Sequence, residues 1–139
     1  YFACAQISIL QNRLEDALDE INRSLIRNWH NHKARQLKAS ILRHSGKTEE
    51  ALKFIEESLI VDKFNLGCRF EKYFIESNPV ELQEMLSILN GSVHNYIEYA
   101  FDFSSAGMYE EASRIMHTYI DEQTNSCLYV RILCINGRR

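Results

Sequence analysis

The feature that most constrains this chain is a pattern that occurs twice, 34 residues apart. Residues 14–26 align with residues 48–60 without a gap. The identical pairs at this offset are Glu15/Glu49, Ala17/Ala51, Leu18/Leu52, Ile21/Ile55, Ser24/Ser58, Leu25/Leu59 and Ile26/Ile60, with Ala5/Ala39, Ile7/Ile41 and Asn31/Asn65 outside the segment. A fixed period of this length is typical of stacked repeats, in which no unit can bury its apolar face without a neighbour.

Apolar residues recur at helical spacing along the chain, and no segment alternates with the period of a strand. We therefore predict an all-α superhelix, or solenoid, of antiparallel helix hairpins. The predicted units are hairpins at about 1–28, 32–62, 66–90 and 93–122, followed by a partial repeat at 126–137 after a break near 122–126.

Local signals mark several helix ends. Gly46 stands where a left-handed residue ends a helix, and Thr48 is predicted to be the N-cap of the next one. Asn78 followed by Pro79 predicts a further helix start, with proline at the first helical position.

These residues resemble the tetratricopeptide repeat (TPR), which has small residues at positions 8, 20 and 27, glycine near 15, and larger apolar residues at 11 and 24. With His32 as position 1, these positions hold Ala39, Ala51, Ser58, Gly46, Leu42 and Ile55; with Val93 as position 1, they hold Ala100, Ala112, Tyr119, Gly107, Phe103 and Met116. Trp29 and Lys63 stand where proline is usual, and the usual tryptophan at position 4 is missing. HEAT-type repeats remain the structural alternative.

The TPR resemblance implies a concave groove lined by the first helix of each hairpin. The residues that it places there are Gln6, Ile9, Leu10, Lys33, Gln36, Ser40, Arg43, His44, His94, Ile97, Phe101 and Ser104. This mixture suits an extended peptide or a helix, or alternatively an adjoining repeat of the same chain. The family's carboxylate clamp needs Lys and Asn where this chain has Gln36 and Ser40, so we do not predict binding of chaperone tails.

A basic segment lies between residues 21 and 48, although the 139-residue chain has a net charge of −3. Its cations are Arg23, Arg27, Lys33, Arg35, Lys38, Arg43 and Lys47, and it contains no Asp or Glu. Either the segment binds an anionic ligand such as nucleic acid, or it is a solvated face opposite acidic helices. The second reading is favoured, because no aromatic ladder accompanies the charges.

No motif for catalysis, a cofactor or a metal site is found. His30 and His32 flank Asn31, but a metal site would need further ligands at helical spacing, so we predict a turn. The four cysteines, Cys4, Cys68, Cys127 and Cys134, form no close pair, and we expect reduced, buried thiols in a cytoplasmic protein.

The sequence thus predicts a non-enzymatic scaffold that binds protein or peptide, with no cofactor and no membrane partner. Because the chain starts at Tyr1 without Met, we expect a piece of a longer protein. Some phrases also resemble the repeat regions of large bacterial proteins that carry a mutarotase-like β-sandwich elsewhere. The alternatives are a regulatory repeat attached to a carbohydrate-acting or other enzymatic domain and, with less support, a basic nucleic-acid-binding array.

Overall fold

The computed structural model describes the backbone of residues 1–136 and the side chains of residues 1–127. The described backbone forms eight α-helices and no strand, which confirms the all-α prediction. The helices are α1 (Phe2–Leu10), α2 (Leu14–Arg27), α3 (His32–His44), α4 (Thr48–Val61), α5 (Leu66–Glu76), α6 (Pro79–Leu89), α7 (Val93–Ser105) and α8 (Tyr109–Asn136). None of the helices, within the part of the chain described, combines the length and the apolar character needed to cross a membrane.

Consecutive helices pack in pairs, and α3 lies at the centre of the array, in contact with α2, α4 and α5. Most of the small residues of the repeat are buried. Ala5, Ala17, Ala39 and Ala51 are fully buried, whereas Ala112 is only partly buried. Small side chains at these places let helix axes approach, so the larger apolar groups can interlock around them.

The repeat is visible in the helix caps as well. Asn31 and Asn65, one period apart, both accept a hydrogen bond through Oδ1 from the backbone N–H three residues later, at 3.1 Å. Asn78 caps α6 in a related way, ahead of Pro79, as the sequence predicted. The asparagine of the His-Asn-His turn is therefore explained by its capping role.

Two arginines fasten the turns that join successive hairpins. Arg35 donates from Nε to the carbonyl of Trp29, and Arg69 donates from Nε to the carbonyl of Lys63, both at 2.8 Å. Each arginine occupies the position at which a TPR usually has tryptophan, and each carbonyl belongs to a residue at the usual proline position. The two differences from the TPR pattern are therefore linked, because the arginine at one position donates a hydrogen bond to the backbone carbonyl of the residue at the other.

Two predictions about helix ends are wrong. The predicted break near 122–126 is absent, because α8 runs without interruption from Tyr109 to Asn136. No glycine or proline occurs in that stretch, and Thr124 satisfies its hydroxyl by donating to the carbonyl of Ile120 at 2.8 Å. Thr48 is the first residue of α4 and not its N-cap; Lys47 holds the cap position without a side-chain hydrogen bond.

The expectation about cysteines is only partly correct. Cys68 is buried, whereas Cys4 and Cys127 are exposed, and all three are free thiols. Cys134 lies outside the described side chains. Cys4 lies in α1 and Cys127 in α8, the first and last helices of the described chain.

Candidate functional site

The predicted groove residues fall into three groups in the structure. Those exposed to solvent are Leu10, His44, His94, Ile97 and Phe101; those partly buried are Gln6, Ile9, Lys33, Arg43 and Ser104; those buried are Gln36 and Ser40. The prediction that Gln36 and Ser40 face a ligand is therefore wrong. Both face α5, which packs directly on α3.

A buried polar cluster joins α3 to α5. Gln36 donates from Nε2 to Ser40 Oγ at 2.7 Å, and Ser40 donates to the carboxylate of Glu71. Arg43 also donates to Glu71, whose side chain is fully buried. A buried carboxylate is tolerated only with such partners, because its desolvation is otherwise uncompensated.

The same arginine reaches the start of α8. Arg43 Nη2 lies 2.7 Å from Glu111 Oε1, and His44 Nε2 lies 2.9 Å from the same oxygen. The hydrogen bond from His44 lowers the pKa of Glu111 to about 2, against the opposing effect of burial and with the further help of Arg43. Arg43 and His44, which were both predicted to line the groove, therefore bind the carboxylate of Glu111 in the same chain.

The hairpin of α7 and α8 makes further contacts with the face that was predicted to line the groove. Lys33 Nζ of α3 lies 2.9 Å from Asp102 Oδ1 of α7. Phe74 of α5 meets Phe103 of α7 edge to face, with ring centroids 5.7 Å apart. These contacts cover the middle of the predicted groove with the chain's own last hairpin.

A cleft of about 360 Å³ remains where the turn of the first hairpin meets the turn of the last. It is lined by Ile9, Leu10, Asn12, Leu14, His44 and Ala106–Tyr109. The approach is close, because a Cβ built on Gly107 would lie 2.6 Å from Leu10 Cδ2. Gly107 has a φ of +78°, so the backbone conformation of the turn favours glycine, whereas the exposed Leu10 side chain could rotate away from a Cβ.

One part of the predicted site stays open. Val93, Ile97 and Phe101 lie along one side of α7 and are 44%, 52% and 68% exposed. Spacing of four residues places them in one row on the helix surface. We call this row the α7 stripe.

The basic segment is mostly used inside the molecule. Lys33 and Arg43 pair with acids as described, and Lys47 lies 3.4 Å from Glu15. Arg35 is buried, stacks 4.2 Å from the centre of the Trp29 ring and donates to Ser58. These contacts favour the interpretation that the basic segment is structural over the interpretation that it binds an anionic ligand.

Within the described residues, no three side chains of His, Cys, Asp or Glu are arranged to hold a metal ion. Burial raises the pKa of the Cys68 thiol to about 12, so this thiol stays protonated and is a poor nucleophile.

The acids of α5, α7 and α8 were missed by the sequence analysis. Glu71 carried a usable signal, since apolar or small residues precede it by one turn at Gly67 and Cys68 and follow it at Phe74 and Ile75. An acid on the apolar side of a helix indicates a buried ion pair. Asp102 and Glu111 carried no such signal, because their partners lie more than 60 residues away in sequence.

The chain matches no protein-family model, no curated protein and no solved structure. The function is therefore argued from its own residues and their geometry.

Proposed function

We propose that the chain is a TPR-like helical array that binds a segment of another protein and performs no catalysis itself. The observation that supports this most directly is the α7 stripe. Phe101 is 68% exposed and Ile97 52% exposed, although the neighbouring Phe103 on the same helix is fully buried. Burying such side chains against a partner would remove apolar surface from water.

The proposed ligand is an amphipathic helix of the partner. Apolar residues of the ligand at helical spacing would lie along Val93, Ile97 and Phe101, which span about two turns of α7. His94 and Glu98 are exposed beside the row and would contact the polar edge of the ligand. The site is rigid, since α7 is held by α8 and by α5, so binding does not have to order the backbone.

The test begins with peptides selected from a display library on the wild-type protein, with their affinity measured by calorimetry. Phe101→Ala is expected to weaken binding by about tenfold or more, because aromatic anchors contribute most of the energy at such interfaces. Val80→Ala on α6 is the matched control, since Val80 is also an exposed apolar residue. Equal affinity of wild type and Phe101→Ala, or a selection without any peptide that binds in solution, would contradict the proposal.

A further inference from the structure

The outer faces of α2 and α4 carry opposite charges at equivalent positions. Asp19 is replaced one repeat later by Lys53, and Arg23 by Glu57. Closer to the C-terminal ends of the two helices, isoleucine occupies both equivalent positions, as Ile26 in α2 and Ile60 in α4. We call these six residues the outer strip. Its charges are inverted from one repeat to the next while its apolar residue is kept.

In the part of the chain that the structure describes, the side chains of the outer strip face solvent. Ile26 and Ile60 are 84% and 86% exposed, the highest values for large apolar side chains among the described residues. The four charged residues of the strip are exposed too, and none forms an ion pair with another described side chain. Arg23 lies 6.0 Å from the centre of the Tyr1 ring, a distance at which attraction is weak.

The arrangement of the helices makes the strip self-complementary. Both α2 and α4 pack on α3 and are joined to it by short turns, so they run in the same direction on either side of it. Between them lies an open groove of about 330 Å³, with Lys38 and Phe54 in its lining. A twofold axis along this groove, parallel to the helices, would place α4 of a second copy opposite α2. Residues one repeat apart would then face each other.

We propose that the chain forms a symmetric homodimer through the outer strip. In this dimer Ile26 packs on Ile60 of the second copy, and Arg23 pairs with Glu57 of the second copy, each contact occurring twice. Asp19 pairs with Lys53 in the same way. A second copy supplies every one of these matches at once, whereas an unrelated partner would have to complement the two helices separately.

The remaining charges on α2 and α4 limit the extent of the interface. The first turns are acidic in both helices, with Glu15 and Asp16 in α2 and Glu49 and Glu50 in α4. In the dimer these acids would face one another and repel. The N-terminal ends of α2 and of α4 from the second copy must therefore diverge, and the contact is confined to the later turns. Lys38, which lies over the Phe54 ring at 4.5 Å, lines the groove.

The test measures association by sedimentation equilibrium of the full chain over a range of loading concentrations. Wild type is expected to be a reversible dimer. Arg23→Glu places two acids opposite each other at both symmetric contacts, and is expected to raise the dimer dissociation constant by about tenfold or more. Glu57→Arg should have the same effect. The double variant, with both changes in one chain, restores opposite charges and should dimerise like wild type.

Val80→Asp on α6 introduces a charge at an exposed apolar site outside the strip and should leave the dimer unchanged. Circular dichroism establishes that each variant is folded. A wild type that stays monomeric at every concentration overturns the proposal. So do single charge reversals that dimerise like wild type, or a double variant that does not recover.

Discussion

Arg43→Ala should destabilise the fold by about 3 kcal/mol at neutral pH, because it removes the cation that compensates Glu71. The Glu71 side chain is fully buried and would keep only Ser40 as a described partner. Leaving a buried charge without its partner costs about 3–5 kcal/mol. The lower value is expected, since Arg43 is itself 19% exposed and water can enter the space that it leaves.

The assay is urea unfolding followed by circular dichroism, with the free energy taken from the midpoint at constant slope. Arg13→Ala is the matched control. Arg13 lies 2.7 Å from Asp16, but both side chains are more than half exposed, so the loss should be below about 1 kcal/mol. Adding Glu71→Gln to Arg43→Ala should recover part of the loss, because the uncompensated charge is gone. Equal losses for Arg43→Ala and Arg13→Ala would refute the account of a buried ion pair.

Three further predictions concern packing and pH. Gly67→Ala should lower stability by about 1–3 kcal/mol in urea unfolding, since its Cβ would lie 2.8 Å from Gln36 Cβ; unchanged stability would show that the helices can separate without cost. Ala51→Leu should cost a similar ~1–3 kcal/mol, as Ala51 is fully buried, and a wild-type melting temperature would contradict this. The pKa of Glu111 is lowered to about 2 in the fold, so its stabilisation is complete above the unfolded value of 4.5 and is lost as the pH falls towards 2. Glu111→Gln should therefore be less stable than wild type by about 1–2 kcal/mol at neutral pH, allowing for solvent screening, and the difference should vanish in acid; a constant difference would argue against the ion pair.

Local signals predicted the helices well. Gly46 has a φ of +74°, as predicted for a left-handed residue that ends a helix, and Asn78 caps α6 as its sequence indicated. Such features depend on residues within one or two turns of each other, which a single sequence displays directly.

The candidate site was harder to predict, because it depends on contacts between distant residues. The TPR resemblance placed Gln36 and Ser40 in an open groove, but Glu71 and the last hairpin occupy that space. Nothing near Arg43 in the sequence indicates that Glu111 will reach it. By contrast, Ile97 and Phe101 were predicted as surface residues from the same resemblance and are exposed. Periodicity shows which side of a helix is apolar, but it does not show which distant residues pack against that helix.

The ion pair between Arg43 and Glu111 has a consequence for how the molecule loses its structure. In a linear array each unit touches only its neighbours, and unfolding can start at either terminus and spread inwards. Here a residue of the second hairpin is bonded to one in the fourth, 68 positions later. Separation of the fourth hairpin from the second has to break this bridge, so amide hydrogens of α3 and the beginning of α8 should exchange together, as one cooperative unit.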